Sequence, residues 1–391
     1  MTLSAALVLL VGCSNDEVEE SRRQSAPIEL AAYVSTYTDV EPIGPTSTRA
    51  AADWMPSGYM PYSDLGVLLS NENDDIGVFF TNDGSGSPVL LPRKFRYRDE
   101  KWVIDKEIEN GDDYYLYGYV PYSAAKPFNN GSLTATTIEP NSKYADGAIL
   151  TLRGLNSVMT QDLCVIVGAK HGKKENESVV PDTDGKMVVG DFMCHIRPGS
   201  DANPNYVFLL FDHLCSALRF RFHVDAKYAE LRTIKLKRLD LSAYSNEACT
   251  TPAKKCNATI TLQKTLDGTS PIVSVGFTQS GDGDSNDSYK EKIYEYTGNG
   301  NGEELPSDDE QYTDHLGFAL VINDINYYML HSIYDVYDRK GNLIRENCEA
   351  KNKINIGMVR GKIYTLKLTV MPTYLYVLSE PDLDNPTITI E

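Results

Sequence analysis

The sequence predicts an all-β chain of two tandem β-sandwich domains, and three observations point there. Apolar residues recur in alternating runs of about four to eight, the period of half-buried strands, while long stretches of helical period are hard to find. Turn clusters such as "TNDGSGSP", "ENGDD" and "FNNGS" separate these runs, in a chain with 28 Gly and 19 Pro. A polar break, "RPGSDANPN" (Arg197–Asn205), divides the runs into two groups. With 391 residues, 41% of them hydrophobic, the chain is long enough for two or three domains with real cores.

Taken in order, residues 1–27 read as an export signal and tether. "IELAAYVST" then alternates: Ile28, Leu30, Ala32 and Val34 share one face, with Glu29, Tyr33 and Ser35 on the other. Pro42, Gly44 and Pro45 forbid its continuation. Strands are expected around "DIGVFF" (Asp75–Phe80), "KWVIDKEI" (Lys101–Ile108) and "YYLYGYVPY" (Tyr114–Tyr122), then "AILTL" (Ala148–Leu152) and "DLCVIVGAK" (Asp162–Lys170). They complete a first domain over residues 28–202. A second domain over residues 203–370 opens with "YVFLLFDHLCSALRFRFHV", in which Leu218, Phe220, Phe222 and Val224 alternate with Arg219, Arg221 and His223. In "TIKLKRLDL" (Thr233–Leu241) the alternation changes phase between Leu236 and Leu239, which predicts a bulge. "ATITLQ", "FALVIND" and "KIYTLKLTV" are assigned to the same second sandwich, and Thr278–Gln311 is expected to be a long surface loop. Residues 371–391 form a tail in which "TYLYVLS" is apolar on both faces. A surplus strand of this kind is an aggregation hazard unless something accepts it.

The formal charge of −18 opposes binding to nucleic acid or to an anionic membrane face. No hydrolase elbow, phosphate loop or histidine metal motif is present, so no catalytic residue, metal or cofactor is assigned and an extracellular hydrolase is the weakest reading. His213 and His223 read as wet-face or cap residues. Cys249 and Cys256 could close a short disulfide loop, whereas Cys164 and Cys215 read as plain core residues. "GDGDSND" reads as a solvated acidic loop, lacking the spacing of a calcium loop.

Both ends of the chain carry pattern. Leu3 to Val11 are nearly all apolar, too short to span a bilayer, and lead through "LVGC" to Cys13 and an acidic run. This resembles a lipoprotein signal, in which Cys13 would receive the lipid and tie the precursor to the outer membrane. Farther on, "PTSTRAAADW" places Arg49 before three alanines in structureless sequence. It reads either as a plain loop or as a cleavage site between Arg49 and Ala50.

"STRAAADW" (Ser47–Trp54), "DDIGVFF" (Asp74–Phe80), "YYLYGYVPYS" (Tyr114–Ser123), "FDHLCSALRFRF" (Phe211–Phe222) and "GKIYTLKLTV" (Gly361–Val370) occur in an order that resembles the fimbrillin family, the FimA- and Mfa-like pilins. The resemblance, with the lipoprotein signal, spans the chain from end to end. It implies two tandem transthyretin-like (Greek-key) sandwiches and a structural or adhesive pilus subunit on the cell surface. It also implies cleavage after Arg49, loss of the strand bearing Ile28, Leu30, Ala32 and Val34, and polymerisation with other pilin subunits by strand exchange. The donor is sought in the tail at Tyr374, Leu375, Tyr376, Val377 and Leu378. A stalk or accessory subunit is favoured over a tip or an anchor. The alternative is a surface lipoprotein that binds glycans or a host or bacterial receptor without polymerising, with Tyr59, Tyr62, Tyr327 and Tyr328 as candidate stacking residues.

Overall fold

The computed structural model describes residues 28–39, 54–62, 75–84, 89–98, 101–108, 111–129, 132, 134–159, 161–176, 178–182, 186–197, 204–280, 289–307, 311–314, 316–322, 327–374 and 381–390. Cys13, Arg49 and Ala50, and all of "GDGDSND", lie outside the described residues, as do Leu375, Tyr376, Val377 and Leu378.

Strand is the predominant regular structure of the described residues. In chain order come β1 (Ile28–Ser35), β2 (Thr38–Asp39), β3 (Tyr59–Pro61), β4 (Ile76–Asn82) and β5 (Val89–Arg98). Next are β6 (Lys101–Ile104), β7 (Asp112–Val120), β8 (Thr137–Pro140), β9 (Gly147–Leu155) and β10 (Val158–Met159). The middle of the chain adds β11 (Cys164–Glu175), β12 (Ser178–Pro181), β13 (Met193–Ile196), β14 (Asn205–His213) and β15 (Ser216–Val224). Then follow β16 (Arg232–Tyr244), β17 (Cys256–Gln263), β18 (Ile272–Gln279), β19 (Lys290–Glu295) and β20 (Glu303–Glu304). The last are β21 (Phe318–Val321), β22 (Tyr327–Asp338), β23 (Leu343–Ile354), β24 (Lys362–Tyr374) and β25 (Pro381–Ile390).

These strands build two bodies, each with its own core. The first has a ten-stranded sheet, ordered β12-β11-β14-β1-β6-β5-β4-β7-β13 with β3 on β1, and a four-stranded sheet, β18-β17-β9-β8. Because β7 also pairs with β11, seven strands of the large sheet close into a ring. Such closure buries β4 throughout its length, matching the near-continuous apolar run of "IGVFF". The second body has a six-stranded sheet, β10-β21-β15-β24-β2 with β25 on β24, and a five-stranded sheet, β19-β16-β22-β23 with β20 on β16.

The change of body falls later than the polar break. β14 pairs with β1 and β11 in the first body, and the long apolar run divides at Leu214-Cys215 before β15 enters the second. The break at residues 197–205 marks only a connection between two strands of one sheet. β17, expected in the second sandwich, pairs with β9 in the first, because its buried Ala258, Ile260 and Leu262 complete that core. Within Thr278–Gln311, read as a loop, β19 and β20 pair with β16. The bulge expected in "TIKLKRLDL" is present: the register with β22 shifts between Leu236 and Arg238. Cys249 and Cys256 are both free, Cys249 in a tight turn at positive φ and Cys256 inside β17.

Candidate functional site: the seat of the first strand

β1 is an interior strand. One edge lies parallel to β14 over seven residue pairs, from Ile28↔Asn205 to Val34↔Phe211. The other edge is filled by β6 at Glu29 and Leu30 and by β3 at Tyr33, Val34 and Ser35. Both backbone edges therefore find partners. Ile28, Leu30, Ala32 and Val34 all point into the core, with Val34 fully buried, as the alternation predicts. Burying Ile28, Leu30 and Val34 contributes roughly 1.5–3 kcal/mol each.

On the opposite face, Tyr33 packs edge-on against Trp54 with ring centroids 5.3 Å apart and stacks over Phe208 at 6.2 Å. Trp54 is fixed in turn by its own 5.1 Å contact with Phe208 and by its carbonyl, which accepts from Met187 N–H at 2.9 Å. Thus the last residue of "STRAAADW" is anchored to the body that β1 occupies.

Beyond β1 the chain crosses from the first body to the second, and nearly every residue of the crossing is held. The Ser35 carbonyl accepts from His213 Nε2 at 2.5 Å, and Thr36 N–H donates to the Gly58 carbonyl at 2.7 Å. The Tyr37 hydroxyl donates to Asp162 Oδ1 at 2.8 Å, and its ring stacks on His213 at 3.7 Å. Thr38 N–H donates to the Gly361 carbonyl at 3.0 Å. β2 then pairs parallel with Lys362 and Ile363 of β24, and Asp39 forms an ion pair with Arg219.

At the centre of the crossing, His213 Nδ1 stands 2.6 Å from Asp162 Oδ2 and 3.4 Å from Cys164 Sγ. His213 and Asp162 are buried, against the expectation that His213 is a wet-face or cap residue. The reason is that β14 ends inside the junction between the bodies, where the alternating pattern no longer reports exposure. His223 is buried too, its Nε2 2.6 Å from the Thr369 hydroxyl. Asp162, Cys164 and His213 bring one ligand-type atom each within 4.8 Å of one another. Both ring nitrogens and both carboxylate oxygens already face partners, and burial pushes the Cys164 thiol well above its ordinary range. The trio is thus satisfied as a hydrogen-bonded fastening. No sequence motif announced it, since Asp162 and Cys164 stand together where β11 begins while His213 ends β14, 51 positions beyond Asp162.

The C-terminal region has a place of its own. β25 pairs antiparallel with β24 from Tyr374↔Pro381 to Leu368↔Ile390. Ile388 is buried in the second core, the Tyr334 hydroxyl donates to the Pro386 carbonyl at 3.0 Å, and the Asn352 amide donates to the Ile388 carbonyl. Tyr374 closes β24 at the start of this hairpin. Of the candidate stacking residues, Tyr62 and Tyr328 are buried and Tyr59 donates to Asp212 at 2.7 Å, leaving Tyr327 well exposed.

No protein-family model matches the chain, and no curated protein matches it. Solved structures similar to it include a protein assigned to cell adhesion from Bacteroides fragilis, at 10% identity and TM-score 0.40, covering 94% of this chain and 97% of that one. A fimbrial protein from Bacteroides vulgatus is similar at 13% identity and TM-score 0.38, covering 94% and 98%. The fimbrial anchor protein Mfa2 from Porphyromonas gingivalis is similar at 10% identity and TM-score 0.25, covering 93% and 97%. The structural neighbours are thus fimbrial and cell-adhesion proteins, the grouping that the sequence motifs resemble.

Proposed function

We propose that the chain is a structural subunit of a surface fibre, exported as a lipoprotein through Cys13 and assembled by exchange of its first strand. The observation that carries this reading is the seat of β1. It is an interior strand bonded along both edges, and β1 and β2 both lie on the N-terminal side of Arg49. A single cut between Arg49 and Ala50 severs them from every other described strand. Their departure uncovers the β14 edge and the apolar floor beneath Ile28, Leu30, Ala32 and Val34. An open groove with two unpaired edges is a template for an extended strand from another copy, with backbone bonds supplying affinity and alternate side chains supplying register.

The tail from Tyr374 through Leu378 to β25 remains our candidate donor. Since β25 is seated on β24, donation requires it to leave that edge first or to act through residues 375–380. A module that captures glycans through Tyr59, Tyr62, Tyr327 and Tyr328 draws less support, because three of these rings are already engaged.

The test is limited digestion with an arginine-specific protease, followed by sizing and electron microscopy. We expect the cut chain to form ladders and fibres, and Arg49→Ala to stay monomeric under the same treatment. Cut chain that remains monomeric at high concentration sinks strand exchange by this route.

A further inference from the structure

We propose that His213 and Asp162 form a proton-held latch on the first strand, keeping Ser35 and Tyr37 seated at acid and neutral pH and releasing them as the solution becomes alkaline. The geometry carries the argument. The two ring nitrogens of His213 both face acceptors: Nε2 meets the Ser35 carbonyl at 2.5 Å and Nδ1 meets Asp162 Oδ2 at 2.6 Å. A neutral imidazole carries one N–H, so with an ionised Asp162 one contact would set lone pair against lone pair. Both contacts are satisfied only when the pair holds a further proton. Neither side chain reaches solvent, at 1% and 0% exposure, so water offers little compensation when that proton leaves.

Groups from every neighbouring element face the imidazole. Tyr37 stacks on it from the β1–β2 crossing, Asp162 and Cys164 meet it from the approach to β11, Asp212 adjoins it on β14, and Cys215 stands before β15. Burial pushes the Tyr37 phenol and the Cys164 and Cys215 thiols well up, so none of these competes with the imidazole near neutrality. For His213 itself burial works to lower the value, but the Asp162 charge and hydrogen bond, the Ser35 carbonyl and Asp212 outweigh it, and the net direction is upward from 6.5. When Ser35 and Tyr37 leave, Asp162 and Asp212 stay beside the ring, but water takes the place of the Ser35 carbonyl at Nε2, and a neutral ring can then donate from Nδ1 to Asp162 and accept from water at Nε2. The seated state therefore binds the proton more tightly. Its contribution is complete below the released value and is lost as pH rises from the released toward the seated value, the release equilibrium growing by up to about tenfold per pH unit in that window.

The latch is a property of the uncut chain; its consequence for assembly, faster strand exchange on the alkaline side, rests on the reading under Proposed function. The test is amide hydrogen exchange of residues 28–39 in the uncut protein from about pH 6 to about pH 9, corrected for intrinsic exchange rates and referenced to β22. Protection of residues 28–39 is expected to fall with rising pH relative to β22, and His213→Gln is expected to remove that slope. A flat wild-type profile, or the same slope in the variant, overturns the latch. If His213→Gln does not fold, titration of the wild-type His213 ring by NMR decides: protection of residues 28–39 that falls as the ring loses its proton supports the latch, and protection that falls independently of the ring overturns it. Failure of the Arg49-cut chain to assemble at any pH would count against strand exchange alone and leave the exchange slope standing.

Discussion

Gly77 and Gly118, single residues of "DDIGVFF" and "YYLYGYVPYS", set how closely β4 and β7 approach. A Cβ on Gly118 would stand 2.0 Å from the Gly77 carbonyl oxygen, and one on Gly77 would stand 2.5 Å from the Tyr122 ring. The first conflict is with backbone, which cannot rotate aside, so the sheet itself would have to move. Gly118→Ala is therefore expected to cost roughly 1–3 kcal/mol or more, measured as a lower denaturation midpoint with an unchanged slope. At this scale the sequence is uneven. The inward face of β1 was legible, because four alternating apolar residues define it. The roles of His213 and Asp162 were not: two polar residues 51 positions apart carry no periodic signal, and only the folded chain brings them together.

Among the elements, β1 and β25 contrast. β1 is an interior strand held on both edges, whereas β25 covers the edge of β24 and is bonded along one side. Deleting residues 381–391 leaves the β24 edge unpaired, removes Ile388 from the second core and takes away the acceptor of the Tyr334 hydroxyl. We expect this truncation to lower the melting temperature by several degrees, consistent with a loss on the order of 2 kcal/mol, and to promote edge-to-edge association seen by light scattering. A truncated chain as stable as the full one would mean that β25 is only loosely seated. β23 shows why some strands escaped the sequence reading. "LIRENCEAKNKI" is mostly exposed and lacks apolar alternation, yet it pairs with β22 along its length. Its extended form comes from backbone bonds to a neighbour, a partner that local pattern does not encode.

For the whole molecule, the two bodies are interleaved rather than sequential. β2 and β10, from the first half of the chain, join the second body, while β17 and β18 return from the second half to cover the first. A fragment of residues 28–213 would lack β17 and leave the buried faces of Leu150 and Leu152 without their cross-strand partners Ile260 and Ala258. It is expected to be insoluble or molten, with a weak near-ultraviolet circular dichroism signal. A fragment that unfolds cooperatively would contradict this interleaving. By itself the sequence determined the all-β class, most core strands, the bulge in β16 and the inward face of β1. Each of these follows from local alternation and turn chemistry, which act over a few neighbouring residues. Only the tertiary structure decided which body β14 and β17 join, where β25 docks, and that His213, Asp162, Ser35 and Tyr37 meet at the crossing. Those are pairings between distant segments, chosen by which apolar faces and hydrogen-bonding groups can be satisfied together, and no single window of sequence contains both partners.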